Sequence, residues 1–132
     1  MRILKILKFW FPPALYSGII FYISSIPHLS VPLSGMNSDK FVHIVEYMPL
    51  GILVSRAFYN TIKGICLQHV CLWAVILCFV YGISDEFHQF FVAGRDSSFF
   101  DLLADLVGSI LGVHLYYKWV KKKKINDSFR ER

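Results

Sequence analysis

The chain has 132 residues, of which 55% are hydrophobic and only 17% are charged, and its mean hydropathy is +0.50. A soluble domain of this length cannot bury so much apolar surface, because soluble proteins carry charge on about a quarter of their residues. The net charge of +5 does not indicate nucleic-acid binding, since the basic residues flank apolar runs and form no stripe. We therefore expect one membrane-embedded domain, residues 1–132.

The sequence predicts an all-α fold of four transmembrane helices. They cover about residues 9–29, 39–59, 65–90 and 99–119. The first helix follows a basic segment and lacks a convincing small-residue cleavage site, which favours a retained insertion signal over a removed signal peptide. Pro12 and Pro13 fit its first turns, where a missing backbone N–H is tolerated. A short loop, residues 28–38, is expected to follow.

On the second predicted helix, polar residues share one side. At 100° per residue, six residues fall within about one third of the helix circumference. They are Asp39, Lys40, His43, Glu46, Tyr47 and Leu50. Ser38 or Asp39 is expected to cap the helix start. The stripe predicts a helix that faces protein or water on one side and lipid on the other.

The third and fourth predicted helices carry the remaining polar residues near the turn that joins them. The third ends with Tyr81, Asp85, His88 and Gln89 on one side, and Gly94 is expected to adopt a positive φ in the turn 93–96. The fourth begins after a cap at Asp96, Ser97 or Ser98 and presents one face with Asp101, Asp105, Gly108 and Gly112. The two glycines allow close approach of another helix, including that of a second copy. Residues 120–132 are expected to form a basic, frayed tail.

The distribution of charge predicts the orientation of the helices. Twelve of the 14 basic residues lie on the side of the termini, and only Lys40 and Arg95 lie on the other side. Seven of the nine acids lie on that other side: Asp39, Glu46, Asp85, Glu86, Asp96, Asp101 and Asp105. The positive-inside rule therefore predicts cytoplasmic termini and an external polar end. No phosphate-cradling glycine loop is present, so no cofactor is expected.

Three polar segments in chain order resemble one known family. They are Asp39-Lys40-x-x-His43-x-x-Glu46-Tyr47-x-x-Leu50-Gly51, Ser84-Asp85-Glu86-x-His88-Gln89-x-Phe91-Val92-x-Gly94-Arg95-x-x-Ser98, and Asp101-x-x-Ala104-Asp105-x-x-Gly108-x-x-x-Gly112. Over about residues 10–118 the chain resembles the VanZ-like family of bacterial membrane proteins. One departure is Ala93, where the family pattern has proline. The resemblance implies a multi-pass protein of the bacterial cytoplasmic membrane, with an association with low-level teicoplanin resistance, and it supplies no established catalytic residue.

The candidate site is a polar pocket open to the outer face. Its predicted members are Lys40, His43, Glu46, Tyr47, Asp85, Glu86, Gln89, Arg95, Asp101 and Asp105. Because buried charges must pair, we expect Lys40 and Arg95 to bridge acids of different helices, such as Asp85, Asp101 or Glu46. A metal ion held by His43, Glu46 and Asp85 is a further hypothesis, although no His-Glu-x-x-His or Cys/His pattern supports it. A purely structural hydrogen-bond network is the alternative for every member.

Three functions remain open from the sequence. The first is an envelope factor that binds a lipid, an envelope precursor or a glycopeptide and thereby gives teicoplanin tolerance. The second is a membrane-embedded hydrolase or transferase acting on a lipid-linked substrate, with the gathered carboxylates and His43 as its acid–base groups. The third is a small transporter, which a site at one end instead of the midplane disfavours. Membrane lipids are expected partners, and a homo-oligomer through Gly108 and Gly112 is possible.

Overall fold

The computed structural model of the protein describes residues 2–27, 38–95 and 97–130, without the side chains of Arg2, Ser38 and Asp39. These residues form four α-helices and, within the described ranges, no strand. The helices are α1 (Arg2–Ser24), α2 (Ser38–Thr61), α3 (Leu67–Gln89) and α4 (Phe99–Arg130). All four are long and apolar enough to cross a membrane. The predicted all-α, four-helix fold is confirmed, whereas the loop 28–37, the caps at Ser38 and Asp39, and Asp96 lie outside what is described.

Helix α1 begins and ends earlier than the predicted span 9–29. Its start extends to Arg2 because residues 2–8 contain no glycine or proline and favour a helix throughout. Its end comes at Ser24, since the Ser25 hydroxyl donates to the Phe21 carbonyl at 2.6 Å and the Ser24 hydroxyl lies 3.0 Å from the same oxygen. Such side-chain bonds compete with the helical ladder and close the helix.

Pro12 and Pro13 were predicted to lie in the first turns of α1. In the structure they lie in the interior of the helix. They leave the carbonyls of Lys8 and Phe9 without their usual helical donors. The helix nevertheless continues, and in the same turn the Trp10 indole donates to the Thr61 hydroxyl of α2 at 3.3 Å. Contact with α2 therefore supports α1 where its own ladder is interrupted.

Helix α4 is longer than the predicted span 99–119, and the expected frayed tail is wrong as far as Arg130. With 32 residues it is about 48 Å long, which exceeds the hydrocarbon thickness of about 30 Å. The residues after Val120 are exposed. Four consecutive lysines, 121–124, are good helix formers, so the helix continues beyond the part that packs against the bundle.

The helices alternate in direction, and α2 packs against all three others, most extensively against α4. The close approach of α2 and α4 depends on glycine. A Cβ at Gly108 or Gly112 would overlap the backbone carbonyl of Ile44 or Met48 of α2. These glycines thus serve the chain's own packing of α2 against α4, and a homo-oligomer through them stays a prediction.

The interior has an apolar centre and a polar end. The apolar centre contains seven buried residues: Ile20, Tyr47, Leu50, Val54, Ala74, Cys78 and Val113. The outer surface carries large exposed apolar side chains on every helix, among them Phe21, Val45, Trp73 and Ile110. Because polar groups are inside and apolar groups outside, the bundle suits an apolar surrounding.

Candidate functional site: a buried acid–histidine cluster

The polar end of the bundle is formed by the last turn of α1, the first turns of α2, the end of α3 and the start of α4. Five ionisable residues are buried there: His43, Asp85, Glu86, Asp101 and Asp105. Gln89 is buried as well, whereas Lys40, Glu46 and Arg95 are partly exposed. The structure therefore gathers the predicted site residues from α2, α3, α4 and the α3–α4 turn at one end of the molecule.

His43 and Asp105 form the most buried ionic contact of the cluster. The His43 Nδ1 atom lies 2.9 Å from Asp105 Oδ1, and the two residues are 6% and 1% exposed. They come from α2 and α4, whose close packing brings the two side chains together. The hydrogen bond orients the imidazole ring, which is the usual first requirement for a histidine that acts as a base or ligand.

Asp85 is held by two neutral donors. The Ser24 hydroxyl of α1 donates to Asp85 Oδ1 at 2.7 Å, and the Gln89 amide donates to Oδ2 at 3.1 Å. Both carboxylate oxygens are thereby satisfied although Asp85 is only 2% exposed. Ser24 was absent from the predicted site, and its position at the end of an apolar helix is the one sequence signal that would have found it.

Glu86 joins the end of α3 to the start of α4. Its Oε2 accepts hydrogen bonds from the Ser97 hydroxyl at 3.1 Å and from the Ser98 backbone N–H at 3.0 Å. The Ser98 hydroxyl in turn accepts from the Phe100 N–H at 3.1 Å, so Ser98 is the N-cap of α4. A carboxylate beside a helix N-terminus is electrostatically favourable. Gly94 has the predicted positive φ, at 74°, in the turn between the two helices.

The two cations of the polar end behave differently. Lys40 lies 3.6 Å from Asp101 of α4, as predicted for a bridge between helices. Arg95 was expected to pair with an acid, but it forms no ion pair with a described acid. Its Nη2 atom instead donates to the Ile23 carbonyl at 2.9 Å. The Ile23 carbonyl also accepts from the Ile26 N–H at 3.2 Å, and the carbonyls at the C-terminus of α1 form the negative end of that helix, which attracts the guanidinium group.

Two further residues, His88 and Phe21, extend the network to the surface. The His88 Nε2 atom lies 2.9 Å from the Ser25 hydroxyl, and the imidazole stacks on the Phe21 ring at 4.3 Å. Glu46 takes part through its backbone, since its carbonyl accepts from the Tyr16 hydroxyl at 3.0 Å. The Tyr47 hydroxyl is buried without a hydrogen-bond partner in the described part of the chain.

The metal set predicted from the sequence is not the one that the structure assembles. Among the described residues, one donor atom each from His43, Glu86 and Asp105 lies within 4.8 Å of the others. Glu46 and Asp85, which were predicted with His43, are not part of this group. A helical wheel shows which residues share a face of one helix. It does not show that α2 packs against α4, which places Asp105 and not Glu46 or Asp85 beside His43. We call His43, Glu86 and Asp105 the acid–histidine trio.

The acid–histidine trio is packed between helices at the polar end. Cavities lie in other parts of the bundle. Two, of about 670 Å³ and 790 Å³, lie near Trp119 on α4, and the third, of about 150 Å³, is lined by apolar residues around Trp10 and Tyr81. The described members of the predicted site form a hydrogen-bonded cluster, and the outward-facing pocket stays a prediction.

Comparison with known proteins agrees with the arrangement of these segments. Residues 6–121 match the family model described as VanZ/LLP1. No curated protein and no solved structure matches the chain. Because the matched range covers all four transmembrane helices and the polar end, the chain is a multi-pass membrane protein that belongs to the VanZ/LLP1 family.

Proposed function

We propose that this protein is a cell-envelope factor of the bacterial cytoplasmic membrane that binds an envelope ligand at its polar end and contributes to tolerance of teicoplanin. The observation that carries the proposal is the acid–histidine trio, which joins α2, α3 and α4 in the interior of a membrane bundle. Burying ionisable groups in such a bundle is costly, so they are retained where they serve a function. Membership of the VanZ/LLP1 family supports the envelope setting.

The charge of the polar end indicates which ligands fit. The described acids there are Glu46, Asp85, Glu86, Asp101 and Asp105, against the two cations Lys40 and Arg95. Lys40 lies beside Asp101, and Arg95 is bound to a backbone carbonyl. The excess of acceptors favours a ligand that brings positive charge or several N–H donors, such as an aminated lipid headgroup or envelope precursor.

A susceptibility assay tests this function. The wild-type chain, when overexpressed, is expected to raise the teicoplanin concentration needed to stop growth of a sensitive bacterial host. His43→Ala and Asp105→Asn are expected to abolish this gain because each removes one half of the buried pair. His114→Ala is the matched control, since His114 is exposed on α4 away from the polar end. Equal protection by all variants at equal membrane abundance would refute the proposal.

A membrane-embedded hydrolase or transferase is the second candidate, and the His43–Asp105 contact of 2.9 Å favours it. A carboxylate that orients an imidazole is a common arrangement of a general base. Purified protein would then convert lipid-linked envelope substrates, and His43→Ala would lose this turnover. Absence of turnover by the wild-type protein on such substrates, with divalent ions present or removed, would leave only the binding function.

A further inference from the structure

The acid–histidine trio has the composition and spacing of a metal site. His43, Glu86 and Asp105 come from three helices, and each is more than nine-tenths buried. One donor atom from each lies within 4.8 Å of the others. Donors bound tetrahedrally to zinc at about 2.0–2.2 Å lie about 3.3–3.6 Å apart, so a pair at the 4.8 Å limit would close by about an ångström or slightly more on binding.

Two carboxylate oxygens of the trio lack partners. Glu86 Oε1 and Asp105 Oδ2 are buried and accept no hydrogen bond from any residue in the described ranges. Unsatisfied buried acceptors are costly and call for an explanation. The nearest lysine, Lys40, lies against Asp101 and does not neutralise them. A doubly charged cation would satisfy both oxygens and offset both negative charges.

We propose that His43, Glu86 and Asp105 bind one divalent transition-metal ion, zinc or manganese. One imidazole nitrogen and two carboxylates form a mixed nitrogen–oxygen set, which suits these ions better than the all-oxygen sites of magnesium or calcium. The ion binds Nδ1 of a His43 ring that keeps its other proton on Nε2, so an imidazolium–carboxylate pair gives up the proton between Nδ1 and Asp105 Oδ1 to solvent and a neutral imidazole remains as the ligand. Three protein ligands leave a coordination position for an oxygen atom of water or of a bound ligand.

Metal binding by the full-length, detergent-purified chain tests this proposal independently of any effect on teicoplanin. After treatment with EDTA and removal of the chelator, the protein is equilibrated with ZnCl2, MnCl2 or MgCl2. Bound metal is measured by mass spectrometry, and thermal unfolding is followed in parallel. We expect about one zinc or manganese ion per chain, with a raised unfolding temperature, and no comparable effect of magnesium. A wild-type chain that takes up no zinc or manganese overturns the proposal even if every variant misfolds.

Variants of the three proposed ligands locate the ion. Glu86→Gln, Asp105→Asn and His43→Ala are each expected to weaken metal affinity by roughly tenfold or more, because each removes one ligand. His88→Ala is the control, since His88 lies at the same end of α3 but contacts Ser25 instead of the trio. Retention of full affinity by Glu86→Gln and Asp105→Asn would disprove the site. An equal loss in His88→Ala would assign the ion to another position.

Discussion

Asp85 illustrates how single residues are stabilised at the polar end. Its carboxylate is buried without a cation within 4 Å in the described ranges, and two neutral side chains, Ser24 and Gln89, donate to it. Ser24 comes from α1, which also meets α3 where Phe21 stacks on His88 and where the Tyr81 hydroxyl donates to the Ser17 carbonyl at 2.6 Å. A single hydroxyl therefore fixes the end of α1 to the buried acid.

Removing that hydroxyl should destabilise the protein. In Ser24→Ala, Asp85 Oδ1 loses its only donor among the described residues, and leaving a buried acceptor unsatisfied costs about 1–3 kcal/mol. We expect a lower unfolding temperature in detergent. Ser84→Ala is the matched control, because Ser84 is exposed and its hydroxyl bonds only to the Tyr81 carbonyl of its own helix. Equal unfolding temperatures of the two variants would contradict this account.

Individual side chains also mark the limit of what the sequence predicts. The sequence predicted that His43, Asp85 and Asp105 lie on the polar faces of their helices, but it predicted an open pocket and not their nearly complete burial. The partner of Arg95 was not predicted, because a guanidinium group can bind a backbone carbonyl as well as a carboxylate and only the fold places Ile23 within reach. The hydrogen bonds of Glu86 were not predicted either, because only the turn between α3 and α4 places Ser97 and Ser98 beside its carboxylate.

At the scale of elements, the contact between α2 and α4 sets the register of the site. Going toward the polar end, Met48 lies against Gly112 and Ile44 against Gly108. The next turn pairs His43 with Asp105, and the last pairs Lys40 with Asp101. The two helices run in the same direction, so the glycine contacts fix which polar residues meet one and two turns further along. The small-xxx-small pattern was recognised in the sequence, but the sequence does not show whether its partner is α2 or a second copy.

Enlarging these glycines should therefore separate α2 from α4. In Gly108→Ala or Gly112→Ala the new methyl group would overlap a backbone carbonyl, which cannot rotate away. We expect a loss of about 1–3 kcal/mol or more in the free energy of unfolding, measured by thermal or denaturant unfolding in detergent. The displaced register should also weaken the His43–Asp105 contact.

Gly18→Ala is the matched control for this pair of substitutions. Gly18 lies inside α1, and a Cβ there would meet nothing within 4 Å. Alanine is the better helix former by about 1 kcal/mol, so the variant should be as stable as the wild type or more stable. Destabilisation by Gly18→Ala equal to that by Gly112→Ala would show that the effect is not one of helix contact.

At the scale of the whole molecule, charge is divided between the two ends of the bundle. The polar end holds the buried acids, and the opposite end holds Arg56, Lys63 and the lysines of α4. Several of these cations lie over aromatic rings, as Arg56 does over Phe9 at 5.3 Å and Lys124 over Tyr59 at 5.9 Å. Positively charged ends of transmembrane helices remain in the cytoplasm, so we predict that the polar end faces outward.

Thiol labelling in intact cells tests this orientation with a reporter that the chain already contains. Cys66 is exposed in the connection between α2 and α3, at the end opposite the acid–histidine trio, whereas Cys71 and Cys78 lie within the span of α3. A membrane-impermeant maleimide should therefore leave the wild-type chain unmodified until the cells are permeabilised. In a Cys66→Ser background, Asp39→Cys or Asp96→Cys should become modified without permeabilisation, because position 39 belongs to the first turn of α2 and position 96 follows Arg95 in the sequence. Labelling of Cys66 in sealed cells, with positions 39 and 96 protected, would place the buried acids on the cytoplasmic side and remove the basis for an envelope ligand reaching them from outside.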